Sequence, residues 1–196
     1  MSVTAAELGA AWPRAAAALI LTHVDPLNAA LSEWGLGTPL QIAHFLAQTG
    51  WECDELEHLV EEWAAPGTHA AELQAQYEPP SATARILGNT QPGDGQRYLG
   101  RGPIQLTGRW SYGAASKALS DRGPTCLDLL ADPNAAAAPE VGWRVAGWFW
   151  SSRGCGPLAD ADDIEGVTRR INGGLEGLAG REALLARAKE ALGIRA

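Results

Sequence analysis

The chain has 196 residues, a formal net charge of -8, and 46% hydrophobic against 19% charged residues. That balance excludes a disordered or collagen-like chain and supplies one domain with enough apolar material for a core without disulfide or metal staples. The acidic charge argues against nucleic acid, whose phosphates need clustered Lys and Arg, and against an anionic membrane surface.

Residues 1–36 predict two short helices broken at Asp25-Pro26, because proline cannot donate to the helical ladder. The apolar run 15–22 falls well short of the roughly 20 residues of a membrane span. It also lacks the basic start and small-residue cleavage site of a secretory signal, so no integral membrane association is expected. Thr38 is a good N-cap, and Pro39 suits the first helical position. Ile42, Phe45 and Leu46 then supply a buried stripe, and the same face continues through Gln48, Thr49 and Glu52. Leu56, Leu59, Val60 and Trp63 predict another short helix, ended by Pro66-Gly67.

Residues 64–98 are the least regular part, carry Gly and Pro turns, and read as ordered loop anchored by Tyr77 and Leu87. Residues 98–107 read as extended. Helices are expected over about 110–119, from Pro139 to near Gly154, through Ile164, Val167 and Ile171 to Gly173, and from about Arg181 to Leu192. Strand signals are scarce. The fold expected is mainly α, with helices around a loop-rich groove. A segment over 1–37 would pack on a core over 38–192, making a single catalytic domain over 1–196.

Cys53, Cys126 and Cys155 form no C-x-x-C pair and leave one odd, which suits a reducing compartment. Cys53, His44 and His58 lack zinc-ligand spacing. No metal or cofactor is expected. Cys53 reads as a small buried apolar residue, with a cysteine peptidase as the rival.

The carboxylates point to the chemistry. Glu52 lies between Trp51 and Cys53 on an otherwise apolar face, where lost hydration favours the protonated form a general acid needs. The alternative is a helix-terminal Glu turned to solvent. Glycoside hydrolysis pairs such an acid with a second carboxylate, and Glu61, Glu62 and Glu78 are all candidates. In residues 98–107 the glycines permit close backbone approach, and Gln105 and Thr107 share a face at period two. An amide and a hydroxyl so placed could hold a sugar and a water, or simply belong to a tight turn. Trp143, Trp148 and Trp150 have core periodicity, whereas Trp110, near Thr107, is the tryptophan placed to stack on a sugar.

Five segments in order give the chain its likeness. They are Ala47-Gln48-Thr49-Gly50-Trp51-Glu52, residues 88–95 (GNTQPGDG), residues 98–107 (YLGRGPIQLT), Trp148-Phe149-Trp150 and residues 171–176 (INGGLE). Together they resemble the family 19 glycoside hydrolases, plant-type chitinases and the bacteriophage endolysins related to them, over about residues 38–192. The resemblance implies a two-lobed, lysozyme-like α fold with a central groove and an inverting mechanism. Glu52 matches the catalytic acid, with Trp51 where the family pattern has His. Glu78 best matches the carboxylate that deprotonates water, and Glu61 is its substitute. Thr107 matches the hydroxyl that helps hold the water. Gln105, Asn172 and Arg181 match groove residues, and Tyr98 and Trp110 are counted with the substrate-binding set.

The 88–95 loop looks like the endolysin branch. It implies muramidase-type cleavage of peptidoglycan by a monomer that gathers in the bacterial host cytoplasm before reaching the wall, with chitin or a non-catalytic wall-binding role as alternatives. An acidic protein meeting an anionic wall calls for a locally positive groove, and Arg97, Arg101, Arg109 and Arg144 are the expected source.

Overall fold

The computed structural model describes residues 2–64, 66–123 and 127–195; Cys126 lies outside them. Helix α1 (Ala5–Ala11) opens with a capping box in which the Thr4 hydroxyl accepts from Glu7 N and the Glu7 carboxylate accepts from Thr4 N. Helix α2 (Ala17–Trp34) runs unbroken through Pro26. The interruption expected at Asp25-Pro26 falls instead between α1 and α2. Ile20, His23, Val24, Leu27, Ala30 and Leu31 bury one continuous face of α2, and that packing outweighs the one ladder bond proline removes.

Helix α3 (Pro39–Glu52) begins as its sequence dictates, with the Thr38 hydroxyl accepting from Gln41 N at 3.1 Å. From Ile42 to Gly50 every residue is buried, so α3 is a central helix rather than an amphipathic surface one. The helix expected around Leu56 does not form. Asp54, Glu55 and Leu56 take φ of 51°, 56° and 75°, left-handed values that stop a right-handed helix at once. The buried Glu55 carboxylate accepts from Arg14 N at 2.9 Å and from Arg187 Nη2 at 3.0 Å, which pins this turn.

Three short helices occupy the stretch expected to be loop: α4 (His69–Ala75), α5 (Ala82–Leu87) and α6 (Asp94–Arg97). Thr68 and Ser81 cap the first two through their hydroxyls. Beyond the extended segment come α7 (Arg109–Ser120), a 3-10 turn (Pro133–Ala137), α8 (Pro139–Ser152), α9 (Cys155–Asp160), α10 (Ile164–Asn172) and α11 (Leu178–Ala191). Among the described residues the only β pairing is two isolated bridges, Val60 with Arg101 and Arg101 with Leu106. The mainly α expectation holds.

The core lies where α3 packs on α11 and α2 packs on α8. Trp12 and Trp143, both essentially fully buried, stack with ring centroids 6.1 Å apart, and Phe45 meets the rings of Trp143 and Trp150. At about 25 cal/mol per Å² over 150–250 Å², each buried indole contributes about 4–6 kcal/mol. This rigid stack fixes α3, and with it the residue at its C-terminal end, Glu52.

Candidate active site

Glu52 is the last residue of α3, and its side chain is 20% exposed. One carboxylate oxygen accepts from Arg181 Nη2 at 2.5 Å. Arg181, in the first turn of α11, is 1% exposed and also donates to Gln48 Oε1 at 2.5 Å. Gln48 in turn donates to Thr168 Oγ1 on α10 at 3.1 Å. Gln48 and Glu52 are four residues apart, so one helical face presents both to the same guanidinium. The purely apolar setting expected for Glu52 is thereby corrected: the carboxyl group faces a buried cation held by a polar chain three helices wide.

The second group forms around Gly100. A Cβ there would stand 2.5 Å from Gln105 Oε1 and 3.3 Å from both Glu61 Oε2 and Thr107 Oγ1. The missing side chain is what lets these three polar groups converge on one backbone position. Glu61 is held firmly. Its Oε2 accepts from Gly100 N at 3.0 Å and its Oε1 from Gln74 Nε2 at 3.0 Å, while its own N–H donates to Gly100 O at 2.8 Å. Gln105, itself at φ 52°, donates to His58 O and Gly102 O, and the Thr107 hydroxyl donates to Gln105 O at 2.9 Å. Leu56, Leu59, Glu61, Glu62 and Gln105 line an open cleft of about 760 Å³.

Glu78 stands elsewhere. Its oxygens accept from the backbone N–H groups of Gly93, at 2.8 Å, and Gln96, at 3.3 Å. This ties it to the start of α6. The structure gathers Glu61, not Glu78, with Gln105 and Thr107. Glu62 is exposed, as a solvated neighbour would be.

The remaining expected site residues divide by exposure. Tyr98 is 2% exposed, with Arg97 and Arg109 against its ring, so it offers no open face to a sugar. Asn172 is exposed at the end of α10, where Gly173 supplies the C-cap. Trp110 is 63% exposed and, with Trp148, Phe149 and Arg153, lines a depression of about 220 Å³. Trp143 and Trp150 belong to the core, as their periodicity indicates.

The four arginines expected to make a groove positive all have partners within the fold. Arg101 is buried and donates to Arg97 O, Leu99 O and the Tyr112 hydroxyl. Arg109 is paired with Asp94, Arg144 with Glu33, and Arg97 with the carbonyls of Leu130 and Ala131. These arginines are structural. Burial alone would raise the Asp94 carboxyl, but hydrogen bonds from Arg109 and from the N–H groups of Gln91 and Thr90 hold it below its ordinary value. The 88–95 loop is thus a clamp around Asp94 and Asn89. The Asn89 amide donates to Tyr77 O, and its carbonyl oxygen accepts from Arg109 N.

Cys53 is fully buried, and burial pushes its thiol up to about 12. A thiol so held is not a thiolate nucleophile near neutrality, which removes the support for a peptidase built on it. Among the described residues no group of three or more His, Cys, Asp or Glu side chains is placed to hold a metal ion, and no helix is long and apolar enough to cross a membrane.

Two site-forming residues escape sequence reasoning. Gln74, which orients Glu61 and also donates to Glu62 O, sits in α4, a helix too short to declare itself by periodicity. Thr168 supports Gln48 from a helix more than a hundred residues away. The Gln48 to Glu52 spacing was the one legible signal for the first of these networks.

The family model for chitinase class I, glycosyl hydrolase family 19, matches residues 37–159, more than half the chain. A Haemophilus influenzae glycosyl hydrolase family 19 domain-containing protein is 29% identical over 170 residues, which are 78% of this chain and 80% of that protein. An Arabidopsis thaliana endochitinase is 43% identical over 81 residues, and the match covers 26% of its length. The crystal structure of chitinase C from Streptomyces griseus superposes with a TM-score of 0.71 at 24% identity, covering 97% of this chain and 76% of that one. That last likeness establishes a shared fold, and the family model extends from just before α3 into α9, taking in Glu52, Glu61, Gln105 and Thr107 but not Thr168 or Arg181. The chain belongs to glycoside hydrolase family 19.

Proposed function

We propose that the protein is an inverting glycosidase that cuts the β-1,4 backbone of an N-acetylhexosamine polymer, with Glu52 as acid and Glu61 as base. The observation that carries this is the pair of unlike carboxylates. Glu52 is backed by a guanidinium, whereas Glu61 is held by an amide and a backbone N–H beside a hydroxyl. Giving a proton to the glycosidic oxygen leaves Glu52 negative, and Arg181 already stands where that charge develops. Glu61 takes a proton from a water on the opposite face of the sugar, with Gln105 Oε1 and the Thr107 hydroxyl placed to orient it. The resulting hydroxide adds to the anomeric carbon as the leaving oxygen is protonated, and both carboxyl groups return to their starting states through solvent. Inverting pairs stand about 6.5–9.5 Å apart to admit that water.

Peptidoglycan is the polymer favoured by the GNTQPGDG loop, whose endolysin-like sequence folds into the Asp94 clamp beside α6. Chitin is the second reading, favoured by relatives whose names are endochitinase and chitinase. Incubation with purified peptidoglycan and with chitin oligosaccharides, followed by mass spectrometry and anomer-resolved NMR, decides between them. A new reducing end on muramic acid, released as the α-anomer, is the expected result. Release of peptide stems from intact glycan strands refutes the glycosidase assignment.

A further inference from the structure

The eight tryptophans fall into two sets. Trp12, Trp143 and Trp150 are buried and Trp34 and Trp148 half-buried, while Trp51, Trp63 and Trp110 are 43%, 36% and 63% exposed. Each member of the exposed set lies within three residues of Glu52, Glu61 or Thr107.

Trp51 is the most constrained of them. A Cβ on Gly177 would fall 2.4 Å from Trp51 Nε1, and one on Gly180 would overlap Trp51 Cζ3. The indole therefore lies flat on the first turn of α11, which carries no side chain at the two positions beneath it. Its ring also sits 5.9 Å from the Arg181 guanidinium that holds Glu52. Mere packing would be served by a buried ring. Here one face is seated on backbone and locked, and much of the residue remains open to solvent one position before the acid.

We propose that Trp51 is a sugar-stacking platform: its open face binds the apolar face of an N-acetylhexosamine ring next to the bond that Glu52 protonates, and it helps set which polymer is accepted. The chemistry is that of an aromatic surface against pyranose C–H groups. Locking one face in advance lowers the entropy lost when the sugar arrives. This inference rests on the glycosidase reading above.

The test uses the full chain carrying Glu52→Gln, so that ligand is bound but not cut, with chitohexaose and soluble peptidoglycan strands as the two probes. Affinity is measured by calorimetry and by indole fluorescence, and the comparison is made on whichever probe the unmodified protein cleaves. Adding Trp51→Ala or Trp51→His should weaken binding about tenfold, which is about 1.4 kcal/mol. Trp51→Phe, which keeps a flat ring, should recover most of that loss. In the otherwise unmodified enzyme Trp51→His should raise KM more than it lowers kcat.

Binding by Trp51→Ala within twofold of its parent overturns the proposal, as does a ligand-induced fluorescence change that survives Trp51→Phe undiminished. Should Trp51→Ala fail to fold, the Phe and His variants decide on the same criteria. An unmodified protein that releases no fragments from either polymer, together with a parent that binds neither, overturns the glycosidase reading as well. Cleavage that persists with unchanged affinity in the Trp51 variants overturns the platform alone.

Discussion

The helical core and the segment over residues 53–108 are held together by different physics. In the core, α3 is buried from Ile42 to Gly50 and locked by the Trp12–Trp143 stack. In the segment, short helices and left-handed turns hang on individual polar contacts: Glu55 with Arg14 and Arg187, Asp94 with Arg109, and Gln74 with Glu61. Area burial is distributed and tolerant, whereas a hydrogen-bond clamp is specific and fails at one atom. The proposed acid stands at the end of the first kind of structure and the proposed base within the second.

Four sets of measurements sharpen that contrast, and the largest effect falls on activity. Glu52→Gln and Glu61→Gln should each lower hydrolysis by about 10²–10⁴-fold, the usual scale of general acid–base catalysis, as read by reducing-end release. Glu78→Gln should stay within a few-fold of the unmodified rate, because that side chain ties down backbone rather than meeting Thr107. Equal losses at Glu78 and Glu61 would break the assignment of the base.

Next comes the core. Trp143→Ala should destabilise the fold by about 3–5 kcal/mol in urea denaturation, the range for a large aromatic truncated in a packed interior. The Asp94 clamp follows. Asp94→Asn leaves Arg109 facing a neutral amide and should lose about 1.5–3 kcal/mol, the worth of hydrogen bonds to a charged group. Because the folded carboxyl lies below its ordinary value of 3.8, this stabilisation is fully present above about that pH and disappears as acid protonates the folded form. The unmodified protein should therefore converge on the variant at strongly acid pH. A constant difference down to pH 2 would show that the contribution is not electrostatic.

The smallest effect is a pH response within the core. Burial lowers the His44 pKa below 6.5, although the Asp162 hydrogen bond partly opposes the shift; burial lowers His23 as well. Both rings fold in their neutral form. The unfolded chain binds protons first as pH falls through about 6.5, so stability is complete above that value and declines below it. The melting temperature should drop from pH 7.5 to 5.5, and His44→Gln should flatten that drop. A profile identical in the variant would remove His44 from the account.

Much of this was legible in the chain itself, and the reason is local. Thr38-Pro39 is a helix start whatever surrounds it, and α8 and α10 follow from apolar residues at helical spacing that run out at Gly154 and Gly173. Gln48 and Glu52 had to share a face because they are one turn apart. The continuity of α2 through Pro26 was not legible, because a buried face, invisible to propensity, outweighs one missing hydrogen bond. Nor was the failure of a helix at Leu56, whose left-handed turn depends on Arg14 and Arg187 reaching Glu55 from opposite ends of the chain.

What the amino-acid order determined alone was the set of chemical groups, the helices with strong starts and stops, and the family to which five short segments point. Only the tertiary structure decided which carboxylates face what. It set Arg181 and Gln48 behind Glu52, brought Glu61 rather than Glu78 to Gln105 and Thr107 around Gly100, and gave four arginines partners within the fold. The division has a physical cause. Helix signals act over one or two turns, whereas the partner of a charged side chain is chosen by packing between residues from 13 to more than a hundred positions apart.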